Sequence, residues 1–255
     1  MEKKYWVPAL EKANDVLQLI AEQPSKLKLI DLSKQLGINK SSMFSLLTTM
    51  EALEWVIREP ESTYSLGARL GLIGNAFFKQ FSLIDRFRKE AGVTKHTIQE
   101  TIQLAKLDRT EVLYLAKEEM PAPVRLASEP GMKLPAHVTA LGKAMLAALD
   151  ETELDALYPE EALLPETTPH TIRTRSELKE QLAIARKQGY AFDLQEAVMG
   201  FCCVAAPVRD AQGRTVAAIS CSMFQHEWEQ KRELAQREIC ALAARLSQDA
   251  VQAGL

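Results

Sequence analysis

An α+β chain with an N-terminal winged helix-turn-helix, a connecting helix and a larger domain of antiparallel strands flanked by helices is predicted by three features of these 255 residues. The first is a helical hydrophobic period in three short segments up to about residue 53, followed by two short strands. The second is a change, beyond residue 82, to strands alternating with helices. The third is an uneven spread of charge. The net charge of −3 argues by itself against a nucleic-acid partner. Yet from Pro24 to Met50 four lysines (26, 28, 34 and 40) face one acid, Asp31, a local balance of +3, whereas residues 91–255 hold 18 basic and 23 acidic side chains, or −5. A small basic patch on an acidic body suits a module that touches phosphate joined to one that does not. The boundaries fall at residues 1–66 for the first domain, 67–82 for the connecting helix and 83–255 for the second domain.

In order along the chain, Ala9 to Gln23 carries Leu10, Ala13, Val16, Leu17, Ile20 and Ala21 at helical spacing, between Pro8 and Pro24. A short helix over Leu29–Leu36 ends at Gly37, placed to take the positive φ of a tight helix–helix turn. Asn39 is a ready cap for a third helix. There Met43, Leu46, Leu47, Met50 and Leu53 make the apolar stripe, and Lys40, Ser41, Ser42, Ser45 and Thr48 lie off it. Small hydroxyls let a helix sink into the major groove of double-stranded DNA, and a lysine neutralises phosphate. A plain three-helix bundle with a solvated polar face would share this pattern. The strands Trp55–Arg58 and Thr63–Leu66, around Glu59-Pro-Glu-Ser62, add the wing that favours the DNA reading.

Gly67 opens a helix with Leu70, Ile73, Ala76, Phe77 and Phe81 on one face, suited to a dimer seam or to packing within its own domain. A helix over about 84–99 leads to strands at Ile102–Leu107, Val112–Ala116 and Val124–Ala127, then a loop containing Gly131 and Pro135. Helices follow at Ala140–Leu149, Glu151–Leu157 and Ser176–Gly189. Two strands, Met199–Arg209 and Arg214–Met223, flank the hairpin signal Asp210-Ala-Gln-Gly213. A last helix from Glu227 to about Ala250 carries Ala235, Ile239, Leu242, Leu246 and Ala250.

At 47% hydrophobic and 25% charged the composition is that of a globular protein and excludes wholesale disorder or a disulfide-stapled miniprotein. The longest charge-free apolar run, Ala197–Val208, is broken by Gly200 and Pro207 and falls short of the roughly 20 residues of a membrane span. Charges at Glu11, Lys12 and Asp15 leave no apolar core for a signal peptide. Cysteines 202, 203, 221 and 240 lack CxxC spacing, which reads as reduced, buried thiols in a cytoplasmic protein.

Motifs for familiar enzymes, GxSxG, HExxH, GxGxxG and GxxxxGK[ST], are missing. The catalytic alternative would assemble Cys203, His137 and Asp193 as nucleophile, base and orienter. A metal site from His137, His170 and nearby acids lacks ligand spacing, and no cofactor is expected. A ligand pocket is better motivated. Asp193, Glu196, Ser220 and Ser222 are polar groups in or beside apolar segments, and Thr139-Ala-Leu-Gly142 opens a helix whose N–H groups suit a carboxylate or phosphate. The structural alternative is that Thr139 only caps that helix and Ser220 only satisfies backbone.

Four stretches resemble the IclR family of bacterial transcription regulators: Leu36-Gly-Ile-Asn-Lys-Ser-Ser42 with Leu46-Leu47; Tyr64-Ser-Leu-Gly67; Leu134-Pro-Ala-His-Val-Thr-Ala-Leu-Gly-Lys-Ala144; and Gly189-Tyr-Ala-Phe-Asp193, continuing through Glu196, Gly200, Cys203, Ala206–Val208 and Ala218–Ser220. The resemblance spans nearly the whole chain. It implies a GAF-like C-terminal domain that binds a small metabolite, and a homodimer or tetramer on a partly palindromic operator; the helix start at Thr139–Gly142 makes that metabolite an anion such as an organic acid. It also implies a pocket at Leu126, Leu134, Ala140, Leu141, Asp193, Cys203, Ser220 and Ser222, to which the helix start adds Gly142. The family commonly has arginine where this chain has Ser45, which removes a bidentate guanine-reading group there.

Overall fold

The computed structural model describes residues 6–78, 82–121, 126, 128–159 and 163–252. The strand expected at Val124–Ala127, Leu126 apart, and Phe81 of the connecting-helix stripe lie outside these residues. The chain forms two compact units, residues 1–80 and 81–255.

In the first unit, α1 (Pro8–Glu22) starts on a proline whose fixed φ and missing N–H suit a first helical turn. In α2 (Leu29–Gln35) the Asp31 carboxylate accepts the Lys28 amide at 3.0 Å, closing its first turn. Gly37 makes the following turn at φ +62°, where a side chain would be strained. Asn39 Oδ1 then accepts the Ser42 amide at 2.8 Å and starts α3 (Lys40–Ala52). Met43, Leu47 and Met50 of α3 pack with Val16, Ile20 and Leu32 in one core, and each such burial is worth about 1.5–3 kcal/mol. Leu53, expected in this stripe, is exposed. The helix ends at Ala52, so the register that would turn Leu53 inward has stopped. The strands β1 (Val56–Arg58) and β2 (Tyr64–Leu66) form an antiparallel hairpin that pairs Ile57 with Ser65. The helix α4 (Ala68–Phe78) follows, with Leu72, Ile73 and Phe77 exposed.

The second unit is a six-stranded antiparallel sheet in the order β5-β4-β3-β8-β7-β6. Its chain order is α5 (Ser82–Ile98), β3 (Thr101–Asp108), β4 (Glu111–Glu118), β5 (Lys133–Pro135), a 3-10 turn at Ala136–Val138, α6 (Ala140–Leu146), α7 (Glu151–Leu157), α8 (Arg175–Gln188), β6 (Ala191–Leu194), β7 (Phe201–Arg209), β8 (Thr215–Phe224) and α9 (Gln225–Gln252). Burial is nearly continuous along β4, β7 and β8 instead of alternating, because helices cover both faces: α9 packs on β7, β8 and α5, while α6 packs on the sheet together with α8. The hairpin at Asp210–Gly213 forms as expected; Asp210 Oδ1 accepts the Gln212 and Arg214 amides at 3.0 and 2.9 Å. Two edge strands depart from expectation. The segment around Pro135 was expected as a loop and is β5, and β6 was not expected as a strand. At three and four residues neither is long enough for alternation to register.

Candidate functional site

The residues singled out on α3, Lys40, Ser41, Ser42, Ser45 and Thr48, are all exposed. The core side chains Met43, Leu47 and Met50 define the opposite face, so Ser41, Ser45 and Thr48 point most directly outward, with Lys40 and Ser42 on either flank. Lys26, Lys28 and Lys34 are exposed as well. Phe44, passed over in the sequence, also stands on this outer face at 59% exposure. Its signal was available: it falls one turn after Lys40 and one before Thr48.

In the second unit, strand register brings the polar candidates together. Asp193 pairs with Cys203, Cys203 with Ser222, and Ser222 with Thr101. Two residues along, on the same face, Ala205, Ser220, Gln103 and Lys117 make the next row. A cavity of about 340 Å³, its open mouth included, lies over these rows. Its apolar walls are Leu126, Leu134, Ala140 and Leu141, and its polar wall includes Asp193, Cys203, Ser220 and Ser222.

Gly142 does not line this cavity. A Cβ there would lie 2.1 Å from the Ala136 carbonyl oxygen, so glycine is what lets α6 approach the 3-10 turn. Its amide, counted among the donors of the helix start, is committed to Thr139 Oγ1 at 3.0 Å. Several lining side chains escaped sequence reasoning, Val198 and Phe201 among them. Tyr114 reaches the cavity from β4. Gln103, buried, accepts the Ser220 and Ser222 hydroxyls at 3.0 and 3.3 Å through Oε1 and lines an adjoining cavity. A lone amide within Ile102-Gln-Leu-Ala105 was the available signal.

Burial raises the Asp193 pKa to about 7, against the pull of the Lys143 charge and of the Glu196 and Ala197 amides on Oδ1 at 2.7 and 3.3 Å. Glu196 is buried and does not line this cavity: Lys143 Nζ lies 2.6 Å from its Oε1 and 2.7 Å from Gln181 Oε1. The same loop is clasped from outside. Thr167 and Thr171 hydroxyls donate to the Glu196 carbonyl at 2.6 and 2.9 Å, and Thr168 donates to the Gln195 carbonyl at 2.7 Å.

The Cys203, His137 and Asp193 assembly does not form as a relay. Asp193 and Cys203 are cross-strand neighbours, but the Cys203 thiol donates to Ser222 Oγ at 3.2 Å and burial holds its pKa well above the ordinary thiol value. His137 Nε2 donates instead to the Pro165 carbonyl at 3.0 Å and is not part of the cavity wall. Among the described residues no three His, Cys, Asp or Glu side chains converge to hold a metal, and no helix is long and apolar enough to cross a membrane.

Residues 9–60 match the IclR helix-turn-helix domain, and residues 83–248 match the bacterial transcriptional regulator IclR C-terminal domain. The chain belongs to the IclR family of bacterial transcriptional regulators. Among IclR-family proteins it is 36% identical to the HTH-type transcriptional regulator XynR of Escherichia coli (strain K12) over 219 residues, which cover 85% of this chain and 86% of that one. It is 32% identical to the HTH-type transcriptional regulator KdgR of Dickeya chrysanthemi, covering 85% and 70%. The crystal structure of the Thermotoga maritima IclR superposes with a TM-score of 0.85 at 27% identity, over 96% of this chain and 99% of that one. The helix-turn-helix unit and the α+β unit are thus the two domains of an IclR-family, DNA-binding transcriptional regulator.

Proposed function

We propose that this chain sets α3 in the major groove of double-stranded operator DNA, as a homodimer or a dimer of dimers, and that a small organic acid in the Asp193 cavity changes its operator affinity. One observation supports the reading above others: an outward α3 face among exposed lysines and a separate cavity walled by polar groups occur in one chain of this family. A single module spans few phosphates, so tight binding needs two modules on a two-fold site. The connecting helix carries exposed Leu72 and Ile73, which suit the seam between copies. Asp193 does not repel an acid ligand as a full charge would, since a carboxyl with a pKa near 7 keeps a proton through much of the acid side of neutrality. Tyr114, Ser220 and Ser222 offer hydroxyl partners beside it, which favours an acid that also carries hydroxyl groups.

A gel-shift titration against duplexes from the promoter region of its own gene, with and without a panel of organic acids, tests both halves. Salt-sensitive binding is expected, and its absence under every condition overturns the regulator reading. An acid that raises the melting temperature should alter duplex affinity. Leu134→Phe, which narrows the cavity at a half-buried wall position, should abolish that response and leave binding without acid intact. An unchanged response would place the acid elsewhere.

A further inference from the structure

We infer that Phe44 reads a thymine methyl group in each half-site of the operator, an inference that rests on the placing of α3 proposed above. Ser41, Phe44, Ser45 and Thr48 fall at i, i+3, i+4 and i+7, so they share one helix face, and all four are exposed. Hydrogen-bonding capacity on this face is limited. The Ser41 hydroxyl donates to Asn39 Oδ1 at 2.9 Å, and the Thr48 hydroxyl donates to the Phe44 carbonyl at 2.8 Å. Both hydroxyls are left to act as acceptors, which suits the amino groups of adenine and cytosine but neither the guanine edge nor thymine O4, which present only acceptors. None of the four is an Arg, Asn or Gln, the side chains that make bidentate pairs with guanine or adenine.

What the face does offer is an aromatic ring at 59% exposure, one turn before Thr48. The apolar group that a base pair presents in the major groove is the C5-methyl of thymine. Charge complementarity points to DNA as the occupant: Lys26, Lys28, Lys34 and Lys40 are all exposed in the same helix-turn-helix stretch, which holds a single acid. Phe44 therefore sets sequence preference, and Lys40 supplies affinity without preference.

Deoxyuracil scanning tests this, because replacing thymine by deoxyuracil removes one methyl and leaves every hydrogen-bonding group in place. The probe is a duplex selected from a random-sequence pool by the full-length chain. One thymine per half-site should weaken wild-type binding about fourfold when replaced, as expected for one buried methyl. Phe44→Ala should lose that sensitivity with an unchanged salt slope, and Phe44→Leu, still apolar, should keep part of it. If wild type and Phe44→Ala show the same uracil penalty at every thymine, while Lys40→Ala flattens the salt slope, α3 is on the DNA and Phe44 does not read it. If neither Lys40→Ala nor Phe44→Ala alters affinity or slope, the placing of α3 itself falls, and the thymine reading with it.

Discussion

At the scale of single residues, Asp193 carries the clearest pH signature. Its carboxyl titrates near 7 in the fold against an ordinary 3.8, so between those values the folded chain holds a proton that the unfolded chain has released. The resulting stability is complete below pH 4 and lost as pH rises through about 7. Asp193→Asn keeps an acceptor for the Glu196 and Ala197 amides and has no charge to bury. Its melting temperature should vary less from pH 4 to 8, and at pH 8 it should exceed wild type in stability by on the order of 2–4 kcal/mol. Lys143 and Glu196 give the opposite case, a buried pair whose halves depend on each other. Glu196→Leu strands the ammonium and should cost about 3–5 kcal/mol, most of it recovered by adding Lys143→Met; denaturant titration of the three variants decides it. The chemistry of these residues was only partly legible in the sequence. Asp193, Ser220 and Ser222 stood out because each interrupts an apolar run. Which neighbour each one faces is set by strand register between distant segments, and one sequence does not encode that locally. The same holds for Gln103, 117 positions from Ser220 and bonded to it.

At the scale of elements, α3 was legible almost to the residue, because cap, glycine turn and apolar stripe are local signals that agree. Leu53 shows the limit, since a periodic pattern runs on past the point where the backbone stops. β6 shows another: its four residues hold too little pattern, and its place is fixed by pairing with β7. α6 was expected to run to Leu149 and stops at Leu146. For the proposed DNA contact, Lys40→Ala should lower affinity for all sequences alike and reduce the slope of log K against log salt by about one charge. Fluorescence anisotropy at several salt concentrations measures it, and an unchanged slope means that Lys40 meets no phosphate.

At the scale of the whole molecule, the charge balance has a use beyond solubility. The −5 of residues 91–255 disfavours phosphate on the larger domain, which under the proposed reading leaves contact with DNA to the first unit. An effector that changes operator affinity by some factor must itself bind with an affinity changed by that same factor when DNA is present. Calorimetry of an active acid, with and without saturating duplex, should return that reciprocal ratio; equal affinities in the two titrations would mean that cavity and DNA are uncoupled. The two-part organisation and the family were readable from sequence because they rest on composition and four ordered motifs. The cavity's shape was not, because its walls come from five separate segments of the second unit.

The threonine clasp behind residues 195–197 has a consequence for how selective that cavity is. A segment outside regular secondary structure whose carbonyls are gripped by Thr167, Thr168 and Thr171, and whose amides are held by Asp193, should exchange its Glu196 amide with deuterium as slowly as a central strand. A wall that is already ordered has little conformational entropy left to lose when a guest arrives. It also yields little to a guest of the wrong size. Discrimination between acids differing by one carbon should then come from rigidity, and loosening the clasp with Thr171→Val would broaden the range of acids accepted while weakening each.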